Sequence, residues 1–79
     1  MPCFHTHISY EGQYARDAEG EWFADLDAAC ESARQSARRM ISQLIAAGSD
    51  AIRLEYHVHN QAGTLLATVP VSASLWWLR

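Results

Sequence analysis

The spacing at which apolar residues recur changes several times along the chain. Between residues 3 and 10 they alternate, which is typical of a strand with one buried face. One side of this strand carries Phe4, Thr6, Ile8 and Tyr10, and the other carries His5, His7 and Ser9. Residues 14–16 predict a weak second strand after a glycine turn. Asp17 and Gly20 then hold the first and last positions of a predicted type I turn, and extended structure resumes at Trp22.

Residues 26–45 carry the strongest signal in the chain, which is that of a helix. Apolar residues recur there at three- and four-residue steps and form a stripe along one helical face. The stripe consists of Leu26, Ala29, Cys30, Ala33, Ala37, Met40, Ile41, Leu44 and Ile45. Asp25 is the predicted N-cap, because its carboxylate can accept from the free amides of the first turn. Gly48 is predicted to end the helix in a left-handed conformation.

Alternation returns after the helix and predicts two further strands. Ile52, Leu54, Tyr56 and Val58 face one way, and Arg53, Glu55, His57 and His59 face the other. A turn at residues 60–63 leads to a strand at 64–69, which Pro70 should stop because proline has no amide to donate. The order β-β-α-β-β predicts a two-layer α+β fold, with one helix packed on an antiparallel four-stranded sheet. We expect this domain to span residues 1–71, followed by an apolar tail at 72–79.

The sheet face that the helix leaves uncovered is predicted to be polar and open to water. It carries all four histidines, His5, His7, His57 and His59, since residues two apart on a strand share a face. In a sheet ordered 2-1-3-4 the two His-x-His pairs would meet, and such a cluster is a candidate site for Zn²⁺ or Ni²⁺. The alternative is that these histidines are ordinary polar residues of a solvated face.

Composition narrows the classes of partner. The net charge is −3 and all six basic residues are arginine, so general attraction to phosphate backbones is weak and we expect no nucleic-acid partner. No segment approaches the roughly 18 apolar residues of a membrane span, so we expect no membrane partner. No secretion signal begins the sequence, and the expected location is cytoplasmic, with Cys3 and Cys30 reduced.

The sequence contains no motif that indicates catalysis. The sequence has no GxSxG, HExxH or phosphate-binding loop, so we expect neither an enzyme nor a cofactor. Cys30 and a nearby histidine could form a nucleophile and its base, but Cys30 lies on the apolar stripe, where a thiol acts as a small hydrophobe. Arg34, Arg38 and Arg39 form a basic patch on the helix, which Glu31 makes mixed in charge.

The end of the chain is the most apolar candidate surface. Aromatic side chains are enriched in the cores of interfaces. The candidate interface residues are Trp22, Leu75, Trp76, Trp77 and Leu78. The tail either associates with another chain or folds back to complete a small core. The expected function is a non-enzymatic protein-interaction or self-associating module, a homo-oligomer or the partner of another protein. The alternative is metal or small-ligand binding through the histidine-rich face.

Three stretches carry a resemblance to a known family. They are Phe4-His5-Thr6-His7 after Met1-Pro2, the turn Asp17-Ala18-Glu19-Gly20 followed by Ala24-Asp25-Leu26, and Gly63 to Pro70. Over roughly residues 1–71 the chain resembles a family of short uncharacterised bacterial proteins, domain-of-unknown-function family six-eight-nine-four. The resemblance implies the fold and a bacterial setting and supplies no catalytic residues. The chain departs from the family at Ala24, where Pro is usual, at His57 and His59, and in its tail.

Overall fold

The computed structural model describes residues 1–49 and 51–74. Its strands are β1 (Cys3–Tyr10), β2 (Gln13–Ala15), β3 (Glu21–Trp22), β4 (Ala51–Asn60) and β5 (Leu65–Ser74), and its helix is α1 (Leu26–Ala46). The strands form one antiparallel sheet in the order β2-β1-β4-β5, and β3 pairs with the start of β1. The predicted α+β class, with one helix on an antiparallel sheet, is confirmed, and the two-residue β3 is an additional strand. No helix within the described ranges has the length and apolar character needed to cross a bilayer.

Both ends of α1 close as the sequence predicts. The Asp25 carboxylate accepts a hydrogen bond of 2.8 Å from a first-turn amide. At the other end Gly48 has a φ of 106°. Its amide donates to the Ile45 carbonyl, and the Ser49 amide donates to the Leu44 carbonyl at 2.9 Å. These two bonds form a Schellman motif, which the left-handed glycine makes possible.

The helix packs on the sheet through small side chains. Ala33 and Ala37 lie one turn apart and are both buried, which allows the helix backbone to approach the strands closely. The largest fully buried side chains come from β4 and are Leu54, Tyr56 and Val58. The Tyr56 hydroxyl lies 3.4 Å from the Ser36 hydroxyl on α1, so the buried phenol keeps a hydrogen-bond partner. Thus β4 supplies the centre of the core from alternate positions.

The last strand corrects one expectation, because β5 passes through Pro70 and continues to Ser74. Successive residues of an antiparallel strand direct their backbone hydrogen bonds to opposite edges of that strand. The Thr6 amide points away from β4, towards Asp17. Thr6 pairs with a residue of β4 that lies three positions from Glu55, and Glu55 in turn pairs with Pro70. Because the direction alternates at each position along β4, the Pro70 nitrogen also points away from β4. Proline therefore removes no hydrogen bond between β4 and β5, which is how an edge strand tolerates it.

The predicted boundary between residues 71 and 72 falls inside β5. Residues 72–74 pair with residues 51–53 of β4 and so belong to the sheet. Of the five predicted interface residues, Trp22 is exposed as expected. The other four, Leu75, Trp76, Trp77 and Leu78, lie outside the described residues.

Candidate ligand-binding site

Pairing of β1 with β4 brings the two His-x-His pairs together on the sheet face away from α1. In the antiparallel register His5 lies opposite His59, and His7 lies opposite His57. The rings of His7 and His59 are diagonal neighbours, with centroids 4.8 Å apart. The sheet therefore has the strand order in which the sequence predicted that the four histidines would meet.

This face is less open to water than the alternation predicted. His7 is 9% exposed and the other three histidines are half-buried. The reason is the segment at residues 16–20, which connects β2 to β3. Both strands pair with the same edge of β1, so the connecting segment passes beside that edge and bonds to the histidines. Alternation predicts that a side chain leaves the core, but it cannot predict that a loop covers it.

Asp17 holds the 16–20 segment in place with four hydrogen bonds. Its Oδ2 accepts from the Thr6 amide at 3.1 Å, and its Oδ1 accepts from the Gly20 amide at 3.0 Å. Its amide donates to Nδ1 of His7 at 2.9 Å, and its carbonyl oxygen accepts from Nδ1 of His5 at 2.8 Å. The Thr6 amide lies in the gap between β2 and β3, so the carboxylate replaces a missing strand partner there.

These bonds fix the proton positions on two imidazoles. A carbonyl oxygen only accepts, so Nδ1 of His5 carries a proton, whereas a backbone amide only donates, so Nδ1 of His7 carries none. In its neutral form His5 therefore presents Nε2 as an acceptor, and neutral His7 presents Nε2–H as a donor. Two histidines on one strand thus offer opposite hydrogen-bonding character.

Burial and charge shift two pKa values on this face. Desolvation lowers the pKa of His7 from its ordinary 6.5, and the nearby His59 and Arg16 lower it further, against an opposing effect of Asp17. Burial alone would raise the pKa of Asp17, but hydrogen bonds from backbone amides and attraction to His5 outweigh it. The pKa of that carboxyl therefore lies below its ordinary 3.8. At neutral pH Asp17 is ionised and His7 is neutral, which are the states that their hydrogen bonds require.

Gly20 allows the 16–20 segment to approach the sheet closely. Its φ is 76°, and a Cβ at this position would lie 2.7 Å from Sγ of Cys3 and 2.9 Å from Cε1 of His5. Gly12 has the same φ, but no atom of the described part of the chain lies within 4 Å of its Cβ position. Gly20 therefore meets a steric requirement in addition to the conformational one.

A cleft of about 470 Å³ opens beside the covered histidines. Its walls come from β1, β2, the 16–20 segment, the end of β4 and the turn that follows it. The chemically active groups along it include three of the four histidines together with Arg16 and Asn60. Its volume lies in the range of small-molecule sites. The histidine face is therefore concave, whereas the sequence predicted only that it is polar and open to water.

His57 lies outside this cleft and has its own partners. Its Nε2 is 3.0 Å from the Ser9 hydroxyl and 3.5 Å from Oε1 of Glu55. The Tyr14 ring lies near both His57 and His7, with centroid distances of 6.1 Å and 5.6 Å. The four histidines are thus divided between the cleft and a neighbouring polar cluster.

The predicted metal site has no supporting arrangement in the described residues. Among residues 1–49 and 51–74, no three His, Cys, Asp or Glu side chains are placed to hold a metal ion. Nδ1 of both His5 and His7 is bonded to Asp17, and His57 faces Ser9. Nδ1 of His59 is buried without a hydrogen-bond partner in this part of the chain.

Two other candidates have structural roles. Cys30 is buried in the core beneath α1, on the other side of the sheet from the histidines, as expected of a small apolar side chain. On the helix surface Glu31 lies 3.3 Å from Arg34 and 3.9 Å from Arg38. The basic patch is therefore mixed in charge, as the sequence predicted.

Sequence patterns did not identify Arg16, Asp17 and Asn60 as site residues. The sequence marks Asp17 only as the first residue of a turn that ends in glycine. Asn60 ends β4 and begins the next turn, and nothing in its neighbours indicates a cleft. These residues become part of one site only because β1 pairs with β4 and the 16–20 segment folds beside them.

In a comparison with protein-family models, residues 3–72 of the chain match a family model. No match was found among curated proteins or among solved structures. The matched range contains β1 to β4, most of β5 and every residue of the cleft. Since the match covers most of the sequence, the chain belongs to the family described as Domain of unknown function (DUF6894).

Proposed function

We propose that this protein is a non-enzymatic binding module that holds a small ligand in the cleft of the histidine face. The observation that supports the proposal is the cleft itself, about 470 Å³ in volume and bounded by a segment that Asp17 fixes in place. A concave site with a few convergent polar groups is the usual form of a small-molecule site.

The energetic cost of this face also supports the proposal. The neutral imidazole of His7 is buried, and Nδ1 of His59 has no partner among residues 1–49 and 51–74. Both oppose folding, because buried polar groups lose water without full compensation. An apolar residue at His7 would avoid the cost of burying a polar ring. Polar groups with shifted pKa values that line a cleft are characteristic of functional sites.

The proposal can be tested by filling the cleft. Ala18 is exposed and lines the cleft, so Ala18→Trp would occupy its volume without touching the core. Ala62 is exposed in the turn after β4 and does not line the cleft, so Ala62→Trp is the matched control. Ligand-observed NMR with a library of small fragments of mixed charge should show fragments that bind the wild type and Ala62→Trp but not Ala18→Trp. A library in which no fragment distinguishes the two variants would contradict the proposal.

The second candidate function is self-association or binding of another protein, in the cytoplasm. Exposed apolar side chains favour it, namely Leu65 and Leu66 at the start of β5 and Trp22 on β3. The outer edge of β5 is interrupted at Pro70, where an incoming strand would find no amide donor. We therefore expect contact at the start of β5.

Light scattering after size exclusion tests this second function. If the protein self-associates through this surface, Leu66→Glu should shift the wild-type oligomer towards monomer. Thr68→Glu, two residues along the same strand and also exposed, should have a smaller effect. A wild type that stays monomeric at every concentration would exclude self-association and leave only a different protein as partner.

A further inference from the structure

The side-chain acceptors that Asp17 and Asn60 bring to the cleft are satisfied within the protein. Both carboxylate oxygens of Asp17 accept from backbone amides, and its carbonyl oxygen accepts from His5. The side-chain oxygen of Asn60 accepts from the Thr64 amide at 2.9 Å. A ligand that mainly donates hydrogen bonds would therefore find few acceptors left to receive them.

The donors around the cleft are still available. Since Nδ1 of His7 accepts from Asp17, the neutral ring carries its proton on Nε2, and no acceptor within residues 1–49 and 51–74 bonds to it. The bond to the Asn60 oxygen leaves the two protons of its amide nitrogen. Arg16 lines the cleft and forms no ion pair within the same ranges. These three groups provide donors and one full positive charge.

Other groups on the walls accept hydrogen bonds, or both donate and accept them. Neutral His5 presents Nε2 as an acceptor, although protonation converts that nitrogen to a donor. The Tyr14 hydroxyl both donates and accepts. The Asp17 charge repels anions, but two amides donate to its oxygens and stabilise that charge. The side chains of Gln61 and His59, which also line the cleft, each carry an acceptor as well as a donor. Counted with them, the donors of Arg16, His7 and Asn60 still make donors more numerous than free acceptors on the cleft walls.

We infer that the cleft binds a small anion, through a carboxylate or phosphate group whose oxygens accept from Arg16, His7 Nε2–H and the Asn60 amide. The inference rests on the proposed function and names its ligand class. Arginine suits this role because its planar guanidinium donates two parallel hydrogen bonds to such groups. A cleft of about 470 Å³ fits a small metabolite.

The test compares probes that differ in charge. Inorganic phosphate, succinate, neutral succinamide and cationic putrescine are each titrated into isotope-labelled protein, and backbone amide shifts are followed by NMR. Concentrations up to about 10 mM would detect millimolar affinities. Phosphate, succinate or both should shift the amides of Arg16, Asp17 and Asn60, and which of them binds tighter distinguishes a phosphate from a carboxylate ligand. Succinamide and putrescine should leave these amides unchanged.

A pair of arginine variants tests the residue that carries the charge. Arg16→Gln should weaken anion binding by about tenfold or more, because a charge-assisted bond is lost. Arg53→Gln removes the same charge from an exposed position on the same sheet face, outside the cleft, and should weaken binding by less than about twofold. Equal weakening by the two variants would indicate general charge attraction and would overturn the inference.

The remaining outcomes separate this inference from the proposed function. Cleft shifts with succinamide or putrescine but with neither anion would overturn the anion assignment and leave small-ligand binding in place. Absence of shifts with all four probes would overturn the anion assignment. The same absence in the fragment library would overturn the proposed function as well.

Discussion

The two faces of the sheet are held by different forces. On the α1 side, alternate residues of β4 bury apolar side chains against the small side chains of the helix. The resulting hydrophobic stabilisation is non-directional and proportional to the buried area. On the histidine side, one residue, Asp17, connects the 16–20 segment to β1 through three directional hydrogen bonds. Such bonds contribute about 1 kcal/mol each to stability. The α1 side therefore supplies most of the stability, and the histidine side supplies a defined geometry that depends on protonation.

The largest expected effect lies in the core of the α1 side. Leu54→Ala should lower the free energy of unfolding by about 3 kcal/mol, since it removes a fully buried side chain and leaves a cavity. Arg53→Ala, the exposed neighbour on the same strand, should change it by less than about 0.5 kcal/mol. Urea denaturation of both variants measures the difference. Similar losses for the two would mean that the core is not centred on β4.

The next effect concerns the anchor of the histidine side. Asp17→Asn should cost about 2 kcal/mol, because an amide nitrogen would face a backbone donor that the carboxylate now satisfies. Glu19→Gln removes the same charge from an exposed neighbouring side chain and is the control. Hydrogen exchange at the Thr6 amide should become faster in Asp17→Asn alone. Unchanged exchange in that variant would refute the role assigned to the carboxylate.

A smaller effect on the free energy of unfolding separates the steric cost of replacing a glycine from the conformational cost. Gly12→Ala and Gly20→Ala place alanine at the same φ of 76°, but among the residues that the structure describes the new Cβ meets other atoms only at Gly20. Gly20→Ala should therefore lose about 1 kcal/mol more than Gly12→Ala, a difference due to close packing alone. Thermal unfolding of the pair measures it. If the two variants melt together, the 16–20 segment does not lie close to Cys3 and His5.

The smallest effect is a pH dependence specific to the histidine side. The folded-state pKa of His7 lies below its ordinary 6.5, so the unfolded chain binds the proton first as the pH falls. Stability from neutral His7 is fully present above about pH 6.5 and is lost as the pH falls through the lowered pKa. A proton on Nδ1 would also face the Asp17 amide, which is itself a donor.

The variant His7→Asn isolates this contribution. Its side-chain oxygen can still accept from the Asp17 amide, but it does not titrate, so denaturation curves should depend less on pH between about 5 and 7 than those of the wild type. Equal pH dependence in wild type and His7→Asn would contradict the assignment.

Much of the fold was predictable because its signals are local. Asp25 begins the helix and Gly48 ends it through bonds between residues no more than five positions apart. Alternation on β1 and β4 indicates directly which side chains face the helix. Pro70 was predicted wrongly for the opposite reason. Its effect depends on which side its nitrogen faces, and that follows from a register that crosses β4 to Thr6 on β1.

The candidate site was only partly predictable. The sequence indicated that His5, His7 and His59 share a face, because residues two apart on a strand do so whatever their neighbours are. It did not indicate the burial of His7 or the tautomers set by Asp17, which depend on atoms ten or more residues away.

By itself, therefore, the sequence determined the helix, the main strands and the division of each strand into an apolar and a polar side. These follow from backbone periods of two and 3.6 residues, which every segment carries independently of the rest. Only the tertiary structure decided that the polar side is a cleft, because that required β2 and β3 to share one edge of β1 and the chain between them to fold beside the histidines. Contacts between distant segments depend on the register of the whole sheet, and no local period encodes that register.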